Sequence, residues 1–280
     1  MSDPTVRRRR LGSELRSLRE ALGLKQEDVA GRVDGINTVK LSRVESGRVG
    51  IKAAELKALL NLYDVDDAAK RESMHSLARD GARRGWWQSY QDVITPAYAD
   101  LISLEQEAKS VRVYQTTLIP GLLQTADYAR ATVSAINMTS SPAEVDALVH
   151  VRLQRQAVLT RPEPLELRVI VHEAALRASL PGRTMRDQLQ RLLDYAKQTN
   201  VTIQVLPLTS SAHPGLSGPY TVLGFPETAD LDVVHIEHLT SSLYVEDPAE
   251  VSIYGRAFDR LAASALPFDS SADLIARLKD

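Results

Sequence analysis

Cysteine is absent from the 280-residue chain. Its absence removes disulfides, thiol catalysis and thiolate metal sites together, and it fits a reducing cytoplasm, the location expected here. No apolar run approaches the roughly 20 residues a membrane helix needs. The basic start Arg7–Arg10 leads into Leu11-Gly12-Ser13-Glu14 rather than into the apolar core of a signal peptide. Neither membrane insertion nor secretion by that route is expected. A glycine-rich phosphate cradle, an internal repeat and a low-complexity tract are missing as well. What is present, 44% apolar and 25% charged residues, is the composition of a globular protein and excludes collagen, wholesale disorder and coiled-coil rods. The length allows one very large domain or two ordinary ones, and two fits better. The formal charge of −2 conceals an asymmetry: residues 1–63 hold 13 Lys/Arg against 8 Asp/Glu, a surplus of +5 that leaves −7 for the remainder. A split of this kind suggests a nucleic-acid-facing head on an acidic body.

Leu11, Leu15, Leu18 and Leu22 follow the i, i+4, i+7, i+11 spacing of one helix face, and Gly23 suits the left-handed cap that ends it. A short second helix is predicted from Gln26 to about Val33, with Val29, Ala30 and Val33 inward. Asp34-Gly35 then makes a turn. Asn37 is an N-cap for a third helix, Thr38–Ser46, closed by Gly47 and burying Leu41 and Val44. A fourth helix over Ala53–Tyr63 turns Leu56, Leu59 and Leu60 inward, and a fifth over Asp66–Arg79 does so with Met74 and Leu77. Residues 1–79 thus read as an all-α domain of five helices.

Two short helices joined by a tight glycine turn, preceded by an amphipathic helix and carrying excess positive charge, form a helix-turn-helix, whose second helix enters the major groove. On a helix capped by Asn37, the side chains of Thr38, Val39, Ser42 and Arg43 project away from the Leu41/Val44 face, toward base edges. Arg43 can bond a guanine bidentately, Val39 can touch a thymine methyl, and Lys40 can reach base or phosphate. The strings Leu22-Gly23-Leu24-Lys25-Gln26-Glu27-Asp28-Val29-Ala30 and Asn37-Thr38-Val39-Lys40-Leu41-Ser42-Arg43-Val44-Glu45-Ser46-Gly47-Arg48 resemble the phage-repressor (Cro/C1, xenobiotic-response-element) helix-turn-helix, over residues 11–63. The resemblance implies that Gln26 and Arg48 hold phosphates, which set register rather than sequence preference. It also implies that Arg19 and Glu45 are a buried pair clamping the first helix to the third, rather than two surface charges. Lys25 stands where that family carries a capping Thr, Ser or Asn; the second helix then loses a cap and gains a phosphate contact. Arg7–Arg10 reads as a solvated face, with an arm on DNA as the alternative.

The polar stretch Asp80–Gly85 and the adjoining Trp86-Trp87 read as a joint, with residues 80–95 as linker and 96–280 as an α+β regulatory domain. Helical patterns over Ala97–Ala108, Pro120–Val133, Pro142–Leu159, Thr184–Gln198 and Pro248–Leu266 alternate with β-branched runs at Ser110–Thr116, Leu165–Val171, Val201–Leu206, Tyr220–Phe225, Val233–Glu237 and Ser242–Val245. Catalytic constellations fail one by one. In His235-Ile236-Glu237-His238 a strand would put His235 and Glu237 on one face and His238 on the other. His172-Glu173 lacks the second histidine of a zinc-protease helix, and the Thr209–His213 segment lacks the glycines of a nucleophile elbow. No catalytic residue, metal site or cofactor is expected.

Further strings, among them Gly85-Trp86-Trp87, Ile119–Thr125, Asp127–Arg130, Arg152–Gln156, Glu173–Arg177, His213–Pro219 and Leu243–Val251, resemble the uncharacterised C-terminal domain found behind this helix-turn-helix in actinobacterial regulators, including the WhiJ type. The resemblance implies a regulator of development or antibiotic production, paired with a small protein encoded beside it. A Pro/Gly-rich loop such as His213–Pro219 suits binding as well as it suits structure. His213, Gly215, Tyr244, Glu246 and Asp247 are the expected partner or ligand surface. Trp86, Trp87, Tyr90, Tyr98 and Tyr114 read as sealing the joint, ahead of an aromatic ligand cage. The whole describes a sequence-specific regulator of transcription, a repressor, acting as a homodimer on a pseudo-palindromic operator in double-stranded DNA. Its control passes through the second domain, by a small protein or small molecule. The rivals are an antitoxin-like DNA-binding partner in a two-protein system and an enzyme with a DNA-binding head.

Overall fold

The computed structural model describes residues 6–80, 85–225 and 232–279; residues 81–84 of the expected joint lie outside them. The described residues form two compact units that divide between Gln88 and Ser89. In the first, α1 (Val6–Ala21), α2 (Gln26–Ala30), α3 (Thr38–Glu45), α4 (Ala53–Leu62) and α5 (Ala68–Asp80) enclose a core of Leu11, Leu15, Val29, Val33, Leu41, Val44, Leu56, Leu59, Leu60 and Met74. Truncating any of the fully buried leucines to alanine would cost about 2–5 kcal/mol.

Three boundaries depart from expectation. α1 starts at Val6, so Arg7–Arg10 are its first turns; with Arg7 and Arg10 buried, the run is not the solvated face expected of it. Leu22, expected inward, is 45% exposed, because α1 ends at Ala21 and Gly23 (φ +66°) turns the chain away from the helix face. α2 ends at Ala30 rather than near Val33, since Gly31 caps it, although Val33 is still buried in the turn that follows.

The second unit is built on a mixed six-stranded sheet ordered β3-β2-β1-β4-β5-β6. At its centre β1 (Ser110–Gln115) runs parallel to β2 (Glu166–His172), and β2 parallel to β3 (Val201–Leu206). On the other side β4 (Tyr220–Gly224), β5 (Val233–Glu237) and β6 (Ser242–Val245) continue antiparallel. The six strands lie where their β-branched runs predict. Around them are α6 (Pro96–Glu107), α7 (Ala126–Ile136), α8 (Pro142–Arg155), α9 (Glu173–Leu176), α10 (Thr184–Tyr195), α11 (Pro248–Ser264) and α12 (Phe268–Lys279). Under α11 the sheet buries Tyr114, Ile170, Leu206, Tyr220, Val222 and Val234 against Phe258 and Leu261.

The continuous helix expected over Pro120–Val133 is broken. Gly121–Leu123 is a single 3-10 turn, and α7 starts only after Thr125, whose hydroxyl accepts the Tyr128 N–H. Glutamines hold this loop out of helix. Gln124 Nε2 donates to the Ile119 carbonyl (2.7 Å), Gln156 Nε2 to Gln124 O (2.8 Å) and Gln188 Nε2 to Leu123 O (2.8 Å). α8 likewise ends at Arg155, and Gln156–Leu159 is a 3-10 turn. α12, which the helical patterns did not include, packs on α10 and β3; its Ser271 hydroxyl accepts the Val205 N–H (3.0 Å) and so covers the β3 edge.

Candidate nucleic-acid interface

α3 owes its start to Asn37, which is extended (φ −111°, ψ 167°) and accepts the Lys40 N–H on Oδ1 at 2.7 Å. It stops where Gly47 turns left-handed (φ +71°) and donates its N–H to Val44 O. Leu41 and Val44 face the core. The opposite face carries Val39, Ser42 and Arg43, all exposed, with Thr38 half-buried. Val39 is 61% exposed on an otherwise polar surface. Among the described residues the Arg43 guanidinium has no hydrogen-bond or ion-pair partner. Arg48 and Lys25 are also exposed.

Behind this face, Arg19 and Glu45 form a buried two-pronged pair: Nε donates to Oε1 at 2.7 Å and Nη2 to Oε2 at 3.0 Å, while Nη1 reaches Leu24 O at 2.7 Å. The bonds to Glu45 raise the Arg19 pKa. Burial first, and Glu45 second, push the Tyr63 hydroxyl up to about 12. Gln26 joins the cluster by donating Nε2 to Glu45 Oε2 at 2.7 Å. One amide hydrogen of this residue, expected on a phosphate, is therefore engaged within the protein. α1 also meets the end of α3 backbone to backbone. A Cβ on Gly12 would fall on the Val44 and Glu45 carbonyls, and one on Gly47 would lie 2.8 Å from Arg9 N. These two glycines were not singled out as contacts between helices, and no local spacing marks them as such.

Lys40 does not point toward the outer face. Its ammonium donates to Glu55 Oε1 (2.7 Å) and Gly35 O (3.0 Å), tying α3 to α4. Burial would raise the Glu55 carboxyl, but the Lys40 and Lys52 bonds outweigh it and hold it below its ordinary value. Lys25, with no acceptor on its side chain, cannot cap α2 as Ser or Thr would; instead Asp28 reaches back and accepts the Lys25 N–H at 2.8 Å.

In the second unit the expected surface is only partly a surface. Gly215 is buried, its Cα pressed so closely on the Tyr114 ring that a Cβ would overlap it. Tyr244 is half-buried, donates its hydroxyl to Ala97 O (2.6 Å) and lies 4.8 Å from His235, its cross-strand neighbour. Burial raises its pKa. Asp247 caps α11, accepting the Ala249 and Glu250 N–H groups at 3.0 Å. His213 and Glu246 are half-buried, and Leu216, in the same loop as His213, is 74% exposed. Tyr114, expected at the joint, lies inside the sheet core, and the Tyr98 hydroxyl accepts a bond from Arg155 Nη1 (2.7 Å). Arg155 and Glu105, which no sequence pattern signalled, form a second buried pair with bonds of 2.8 and 2.6 Å. Desolvation depresses the His235 imidazole to about 4, with Arg155 adding to the effect. Among the described residues no group of three or more His, Asp or Glu is placed to hold a metal ion, and no helix is long and apolar enough to cross a membrane.

Against known families, residues 10–73 match a helix-turn-helix domain and residues 98–277 match a domain of unknown function, DUF5753. No curated protein and no solved structure matches the chain.

Proposed function

The chain belongs to the DUF5753 family and is a helix-turn-helix DNA-binding regulator of the xenobiotic-response-element type, and from that premise we propose that it is a sequence-specific repressor. The observation that carries the reading is the outer face of α3. An exposed Val39 beside an Arg43 with no partner among the described residues presents a methyl surface and an open guanidinium fork, which suit a groove that offers thymine methyls and guanine acceptors. Thr38, Val39, Ser42 and Arg43 read bases; Lys25, Gln26 and Arg48 hold phosphates; Lys40 has to leave Glu55 before it can join them. A recognition helix of eight residues covers few base pairs, so the protein acts as a homodimer on a pseudo-palindrome whose half-sites lie about one helical turn apart. The acidic second unit receives the signal, a small molecule or a small protein from a neighbouring gene, in a regulator of actinobacterial development. His213, Leu216, Glu246 and Asp247 present the receiving surface; Gly215 and Tyr244 support it from beneath.

The test is selection of duplexes from a random pool by the full-length chain, followed by titration of selected and scrambled duplexes across salt concentrations. Affinity for the selected duplex is expected to exceed that for the scrambled one at about 150 mM salt, and to fall steeply as phosphate-bound counterions compete. Equal affinity for the two would sink the repressor reading.

A further inference from the structure

We propose that Arg112 and Arg168 on the sheet of the second unit form a receptor for a dianionic phosphate group carried by a small molecule. The two residues are direct partners on the parallel strands β1 and β2, so both side chains leave the sheet on the same face, beside α11. Each guanidinium lies over one ring, that of the buried Phe258: the Arg112 carbon is 6.0 Å from its centroid and the Arg168 carbon 5.4 Å. Gly255, one turn earlier on α11, lies beside Arg112: a Cβ there would be 3.6 Å from both terminal nitrogens, an ordinary van der Waals contact. Stacking of this kind fixes the planar forks before any ligand arrives.

Two like charges side by side repel, and an acidic body offers ample carboxylates to neutralise them. Arg155 and Arg177 of the same unit each take one. Neither Arg112 nor Arg168 forms an ion pair among the described residues. The pair is open to solvent, Arg168 exposed and Arg112 half-buried. Two adjacent forks present +2 and two sets of parallel N–H donors. A phosphate monoester, with about −1.5 to −2 charge and three acceptor oxygens, satisfies both; a carboxylate fills one fork and leaves the other charge uncompensated. The singly charged diester of a nucleic-acid backbone matches the pair less well. Nothing in this argument depends on the DNA-binding reading of the first unit.

Inorganic phosphate is the probe. The thermal midpoint of the full-length chain is followed as phosphate is added, with sodium chloride at matched ionic strength and sodium succinate as controls, while the Arg side-chain Nε–Hε NMR signals are monitored. Wild-type protein is expected to gain stability in a saturable manner, with the Arg112 and Arg168 signals moving and chloride and succinate giving no such gain. Arg168→Gln and Arg112→Gln should each weaken the response roughly tenfold or more, and Arg168→Lys, which keeps charge but loses the fork, should also weaken it. Arg48→Ala should retain it. A response that survives Arg168→Gln, that succinate reproduces, or that vanishes in Arg48→Ala would overturn the proposal. If a glutamine variant does not fold, the wild-type NMR shifts still decide it, because a phosphate titration that leaves the Arg112 and Arg168 signals in place also overturns it.

Discussion

The two units use the same device to hold helices together, and it serves them differently. In the first, Arg19 grips Glu45 and spends its remaining fork on the Leu24 carbonyl. In the second, Arg155 grips Glu105 and reaches the Tyr98 hydroxyl. The first pair joins helices separated by short turns and stands directly behind α3, so its product is a stiff outer face. The second joins α6 to α8 and sits among glutamines that hold the Ile119–Thr125 loop out of helix, so its product is a loop shape. A buried ion pair thus says that geometry is being enforced; which geometry depends on what surrounds it.

The comparison breaks first at Glu105. Removing it strands the fully buried Arg155 charge, and Glu105→Ala should cost about 3–5 kcal/mol in urea unfolding. Glu45→Ala should cost a similar amount toward the lower end of about 3–5 kcal/mol, since Arg19 keeps Leu24 O. Both tryptophans belong to the first unit, so tryptophan emission should move more for Glu45→Ala and far-ultraviolet dichroism more for Glu105→Ala. A midpoint within a degree or two of wild type for either variant would remove that pair from the account.

His235 sharpens the contrast through pH. Its folded pKa is about 4, against about 6.5 in the unfolded chain. Between those values the unfolded chain binds a proton that the folded chain refuses, so stability must fall as pH drops from about 6.5 to about 4. The loss is on the order of 3 kcal/mol by the lower limit, and His235→Phe should flatten the profile over that window. An unchanged slope in the variant would show that other groups set it.

Smaller effects fall on the reading face. Arg43→Ala should cost roughly 1–3 kcal/mol on the selected duplex and relax preference at one base pair, whereas Arg48→Ala should weaken all duplexes alike. Preference untouched by Arg43→Ala would misplace α3. Smallest is Lys40→Ala, which removes a partly exposed bridge to Glu55 and should cost under about 1 kcal/mol of stability; a larger loss would mean that α3 depends on α4 more than its own cap suggests.

Much of the first unit was legible in the sequence because its information is local. Asn37 and Gly47 bracket α3, and leucine spacing orients α1 and α4. The failures there are equally physical: Leu22 follows the period but lies beyond the end of its helix, and Lys40 was assigned by position along α3 without its neighbour Glu55, which comes from another helix. In the second unit the strands declared themselves by β-branched runs, but the break at Gln124 did not. Its cause is Gln156 and Gln188, distant glutamines whose side chains outcompete the helix for carbonyls. Arg155 and Glu105 are 50 residues apart, with nothing between them to hint that they meet. α12 escaped because its apolar face is short and it gains its place only against α10 and β3.

The turn at Gly47 limits how much sequence one head can name. Pinned against the Arg9 backbone, α3 stops after eight residues, a length of about 12 Å at 1.5 Å per residue. Against a rise of about 3.4 Å per base pair, that is about four letters of duplex. A four-letter word recurs by chance about once in 250 positions, among the roughly 10⁶–10⁹ positions a genome presents. If α3 reads bases as proposed, one copy holds an address too short for any single promoter, and two copies, lengthening the word to about eight letters, would reduce chance matches to about one in 65,000.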